Sequence, residues 1–122
     1  MELSTSPKRY EGSGRWLIKI FSGLLLVILL GIHFVVNHLV APGGLLTYDD
    51  VVHYYANPLV VAMEILFLIT VVIHSSLGIR AILLDLEPSP TTLKIIDYVL
   101  LSVGGIAITY GIWLALTVAS RS

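Results

Sequence analysis

Four histidines and no cysteine define what this 122-residue sequence can ligate. Without a thiol the chain forms no disulfide, no thiolate metal site, no iron–sulfur cluster of its own and no covalent c-type haem link. Imidazole nitrogen is what remains. His33 and His74 sit well inside long apolar runs, where a polar side chain is costly and usually has a partner or a function. His38 is five residues past His33, on another face and near the end of its run, and His53 lies in a more polar segment. Hydration at a membrane interface accounts for both.

His74 has the more telling neighbours. In His74-Ser75-Ser76-Leu77-Gly78 the glycine is four residues on and shares the histidine's helix face. A glycine there lets a flat macrocycle lie against the backbone. Arg80 follows near the end of the run, where its long side chain reaches toward a propionate or a lipid headgroup. The residues also admit a plainer reading, with His74 hydrogen-bonded to a neighbouring helix and Gly78 as a packing notch. For His33, with Gly31 and Asn37 nearby, an interhelical hydrogen bond and iron ligation stand level on spacing alone. Glu64, ten residues before His74, is a carboxylate that would take a proton from a quinol; hydration, or pairing with His38 or a loop residue, is its structural alternative. The stretch Arg15 to Gly23 gathers Trp16, two cations and the Ser22 hydroxyl. That set suits a quinone headgroup, and it also suits an ordinary cationic, aromatic membrane flank.

The elements that hold these residues follow from where charge is missing. Hydrophobic residues make up 57% of the chain and charged ones 12%, well below the roughly 25% charged share of a soluble domain. No Asp, Glu, Lys or Arg occurs from Ile20 to Tyr48 or from Tyr98 to Ser120, and the run from Pro58 to Leu84 is broken by Glu64 and Arg80. Each run is long enough for a hydrocarbon core that needs roughly 20 helical residues. Helices are expected rather than barrel strands, because strict alternation is missing. The pattern predicts an all-α membrane protein, a single domain over 1–122, with transmembrane helices at about 16–40, 58–85 and 93–119. The first run is longer than a signal-peptide core and lacks a small-residue cleavage pattern, so it is expected to be retained.

Ala41–Pro42–Gly43–Gly44 ends the first helix, a short interfacial helix starts near Thr47–Tyr48–Asp49–Asp50, and Glu87–Pro88–Ser89–Pro90 forms a stiff loop. Six Lys and Arg on the N-terminal flank and second loop region, against one at the C-terminus, predict a cytoplasmic N-terminus and 85–93 loop. The 41–57 loop and the C-terminus are then outside. At 1.5 Å per residue His33 falls in the outer half and His74 about 9–16 Å above the inner edge, a difference in depth of roughly 10–15 Å. The two imidazoles are therefore expected to serve separate sites, each completed by another chain. A net charge of −1 offers nothing to nucleic acid.

These residues, in this order, resemble the small haem-binding membrane-anchor subunit of succinate dehydrogenase (complex II, succinate:quinone oxidoreductase). The resemblance rests on the three-helix length, on Trp16…Ser22-Gly23 opening the first helix, and on His74-x-x-x-Gly78-x-Arg80 leading to Asp85. It covers about residues 15–90. The resemblance implies that His74 is an axial ligand of a b-type haem shared with a second cytochrome b anchor subunit. It implies that Arg80, Asp85, Trp16 and Ser22 lie near a quinone site facing an iron–sulfur subunit, which a flavoprotein subunit supplies with electrons. His33 matches the first-helix histidine of members with two stacked haems, which implies two haems b, with Gly78 against the one at His74. A bacterial or archaeal cell membrane is the implied location. The chain departs from many relatives at Leu86, where they carry a quinone-contacting tyrosine, and at Ile20, where a basic residue is common.

The expected role is therefore electron transfer and anchoring, with no succinate chemistry in this chain. A haem-free anchor whose histidines only bridge helices is the alternative. A transporter or channel is disfavoured, because one buried acid among three helices marks no ion pathway.

Overall fold

The computed structural model describes residues 11–41, 43–44 and 47–122. It is all helical there: α1 (Ser13–Val35) runs on into a π-helical turn (Val36–Val40), and α2 (Tyr48–Tyr54), α3 (Pro58–Leu84) and α4 (Pro90–Ala119) follow. Three helices, Ser13–Val40, Pro58–Leu84 and Pro90–Ala119, are long and apolar enough to cross a membrane. Even the 27-residue α3 is about 40 Å long at 1.5 Å per residue, more than a hydrocarbon core of ~30 Å. The protein is an all-α membrane protein.

Each helix starts where the local chemistry satisfies its first amides. Asn57 accepts from the Leu59 amide with Pro58 opening α3, and Ser89 accepts from the Thr92 amide with Pro90 opening α4. Proline suits that first position, where its missing N–H costs nothing. This is why α4 begins at Pro90, three residues before the expected boundary, with Glu87 in the left-handed region (φ 52°) turning the chain between α3 and α4. The expected interfacial helix is α2, started by a reciprocal pair in which Thr47 Oγ1 accepts from the Asp50 amide and Asp50 accepts from the Thr47 amide. Gly43 and Gly44, both at positive φ, follow the end of the first span; Pro42 of the expected helix break lies outside the described residues.

The core is thin. Among the described residues Leu29, Leu84 and Ala115 are the buried apolar ones, and no large side chain is fully buried. By contrast Leu59 and Leu101 are 78% and 77% exposed. Such a surface is compatible with lipid and a partner helix, not with water. α3 is the middle element and packs against both α1 and α4. Glycines let α4 come close: a Cβ on Gly104 would meet Val72 at 3.3 Å, and one on Gly111 would collide with Leu68. Small residues at such a seam let backbones approach where no hydrophobic effect drives association. α2 covers the far end of α4.

Candidate functional site

α1 and α3 run antiparallel with their polar residues facing in two tiers. In the first tier His74 (α3) lies against Gly23 (α1), where a Cβ would stand 3.0 Å from His74 Cε1. In the second, His33 (α1) lies against Glu64 (α3), with His33 Nδ1 2.9 Å from Glu64 Oε1. The tiers are ten residues apart along both helices, about 15 Å at the helical rise. The register thus separates the imidazoles by the spacing expected from counting residues.

His74 is oriented by neutral partners. Its Nδ1 is 3.1 Å from Ser22 Oγ and 3.2 Å from the Lys19 carbonyl oxygen, while the Ser22 hydroxyl itself donates to that carbonyl at 3.1 Å. Ser22 has spent its proton on the carbonyl, so the imidazole Nδ1–H is the donor to both oxygens. Nε2 is then the atom with the lone pair, and no hydrogen bond reaches it among the described residues. A ligating histidine is ordinarily held in this way, one ring N–H on a carbonyl or carboxylate and the other nitrogen free for the metal. A Cβ at Gly78, one turn further on, would meet nothing within 4 Å, leaving room for a flat group. The residues at this tier fit a haem.

His33 is oriented by a charged partner. Its Nδ1–H donates to Glu64 Oε1, which also accepts from the Tyr54 hydroxyl of α2 at 2.8 Å. Asn37, in the π-helical turn, brings its amide nitrogen to 2.9 Å from His33 Nε2, and Phe67 lies with its ring centroid 5.0 Å from the imidazole. Nδ1 is thus fixed as a ligating histidine requires, whereas Nε2 is capped. Asn37 is buried, and its Oδ1 has no partner among the described residues. A metal at Nε2 would require that amide to be displaced, so the tier as arranged does not leave Nε2 open. Burial, then the Glu64 hydrogen bond and charge, raise the Tyr54 pKa, and burial followed by Glu64 raises that of Tyr55. Tyr54 therefore remains a donor.

The other expected residues are placed differently. Arg80 does not project freely to the membrane edge; it is buried, its Nε donates to Asp97 of α4 at 2.6 Å, its Nη2 is 3.5 Å from the other carboxylate oxygen, and Nη1 is buried with no partner among the described residues. Trp16 and Asp85 are exposed near the bundle end opposite α2, Asp85 as the C-cap of α3. Glu64 meets His33 and Tyr54 rather than His38, whose Nδ1 turns back to its own helix at Phe34 O. His53 is exposed on α2. Sequence reasoning left out Asp97, Asn37, Tyr54 and Gly23 as partners. Asp97 had a signal, since Arg80 and Asp97 stand at similar distances on either side of the Pro88–Pro90 turn.

Three helices long and apolar enough to cross a membrane, with one histidine set between α1 and α3 at each of two levels, define a helical membrane subunit. The family described as succinate dehydrogenase/fumarate reductase transmembrane subunit matches residues 3–120, and the chain belongs to it. A protein of Archaeoglobus fulgidus, named succinate dehydrogenase hydrophobic membrane anchor subunit, is 40% identical over 70 residues. That stretch is 57% of this chain and 59% of the relative.

Proposed function

We propose that this chain anchors a succinate:quinone oxidoreductase or fumarate reductase in the membrane and that its histidines, His74 first and His33 second, would hold b-type haem. The observation that carries the reading is the setting of His74: Nδ1 lies against Lys19 O and Ser22 Oγ, and Nε2 has no hydrogen-bond partner among the described residues. Bound there, a b-type haem would supply one-electron transfer. His74 would hold it at its tier, His33 would do so at the other only with the Asn37 amide displaced, and a second anchor subunit would complete each site. Gly78 gives space beside His74, Ser22 and Lys19 O orient its ring, and Arg80 is held by Asp97 on the α4 side. Trp16 and Asp85, at the same end as the cationic N-terminal flank, border the quinone site. The chain's partners in this reading are the second anchor, an iron–sulfur subunit and a flavoprotein, with the N-terminus in the cytoplasm of a bacterial or archaeal cell.

A reduced-minus-oxidised spectrum of the purified complex tests this. A b-type α-band that weakens in His74→Ala supports it, and no band at all overturns it. The second reading, a haem-free anchor, draws on the fact that both imidazoles already bridge α1 and α3. In that case the complex assembles with its flavoprotein and iron–sulfur partners and shows no band.

A further inference from the structure

We propose that a groove at the α2 end of the bundle binds one phospholipid, its apolar chain along the first turns of α3 and its phosphate beside Tyr55 and Arg121. No haem is needed at either tier for this site. The groove has a volume of about 430 Å³ and opens between the α2–α3 link, the start of α3 and Ala119 at the end of α4. That size falls within the roughly 300–1,000 Å³ of ligand pockets. Val61, Ala62 and Ile65 line it along α3, and the small side chains of Ala62 and Ala119 leave the hollow between the helices. From Pro58 to Ile65 the apolar lining runs down the span for about 10 Å at the helical rise.

Polar groups stand at one end only. Tyr55 is half-buried and meets Tyr54 edge-on, ring centroids 5.7 Å apart. The Tyr54 hydroxyl is given to Glu64, whereas that of Tyr55 has no hydrogen-bond partner among the described residues. It is a free donor at the level where tyrosine meets headgroups. Arg121 follows Ala119 by two residues, exposed and in no ion pair among the described residues. The other described lysines and arginines, Arg15, Lys19, Arg80 and Lys94, belong to the opposite end of the bundle. Ser120 and Ser122 spend their hydroxyls on carbonyls of their own chain end, and Asp49 and Asp50 open α2, at the far end of that helix from Tyr55. The guanidinium is therefore the group left for an anion. An apolar trough with a donor and a cation at its membrane-surface end has the polarity of a phospholipid. An apolar helix of a partner would answer neither polar group, and a quinone brings no charge to Arg121.

The test is native mass spectrometry of the whole complex, delipidated and then titrated with dioleoyl phosphatidylglycerol. Ala62→Phe fills the trough from an exposed position on α3, and Ala119→Phe fills it from α4. Each should remove one retained lipid per copy of this chain while the spectra still show the assembled complex. Arg121→Gln should weaken retention of that lipid about tenfold, the low end for a charge-assisted contact, and Tyr55→Phe by less. Where one groove-filling variant fails to assemble, the other decides together with Arg121→Gln. Lipid counts unchanged in the assembled variants overturn the proposal, as does a wild-type complex that retains none. A quinone extracted from the wild type and lost from Ala62→Phe overturns it as well, because the groove then serves a neutral headgroup.

Discussion

His74 leans on a main-chain carbonyl and a serine hydroxyl, His33 on a carboxylate shared with a tyrosine. At the first tier the orienting atoms come from within one turn of α1, from Lys19 to Gly23, and they hold whatever the protonation of the surroundings. At the second they come from three other elements: the π-helical turn, α2 and α3. One site is made by local helix geometry and the other by tertiary assembly. The first is therefore robust to the position of the loop, while the second depends on α2 being docked and on Asn37 standing aside. A π-turn beside His33 fits that contrast, because such turns place side chains off the α-helical register and recur at functional sites.

Several substitutions separate the tiers. The largest effect is expected from His74→Ala and His33→Ala, each removing one b-type component and leaving the other; loss of both from either change would mean the tiers are not independent. Next, Gly23→Ala sets a methyl 3.0 Å from His74 Cε1. Overpacking of that kind costs about 1–3 kcal/mol, so haem content at the His74 tier should fall with the His33 component intact, as read from the reduced spectrum. Ser22→Ala removes one of two acceptors on Nδ1 and should weaken haem retention at His74 by roughly tenfold, the low end for an orienting partner; retention is measured by transfer to apo-myoglobin. The smallest effect concerns α2. Tyr54 and Tyr55 have raised pKa values, so the stability they lend is complete below the ordinary value of 10.0 and is lost as pH rises through the raised ones. Tyrosinate absorbance should show late-ionising tyrosines, one of which disappears in Tyr54→Phe.

The spans were legible because absence of charge over a bilayer's thickness is a strong signal, and the separation of the two histidines along the helices followed from residue counting. The partners were not legible, because they depend on the register between helices. Whether Glu64 faces His33 or His38 depends on how α3 is set against α1, which counting along either helix does not give. Gly23 read as part of a motif, but its task, admitting the His74 ring to the α1 surface, required knowing that α3 lies there. Arg80 read as a free cation at the membrane edge because its partner is on the next helix.

The Arg80–Asp97 pair has a consequence for how the chain enters the bilayer. An arginine or an aspartate costs an inserting helix roughly 2.5–3.5 kcal/mol at its centre and less toward its ends, and these two stand toward the joined ends of separate spans, linked by a short proline-containing turn. Presented one helix at a time, each charge opposes partitioning. Presented together, α3 and α4 carry an internally neutralised contact, so the hairpin rather than the single helix is the favoured unit of insertion. Topogenesis and the static ion pair are then two aspects of one interaction, and the turn at Glu87 is where the chain commits to folding back before it crosses again.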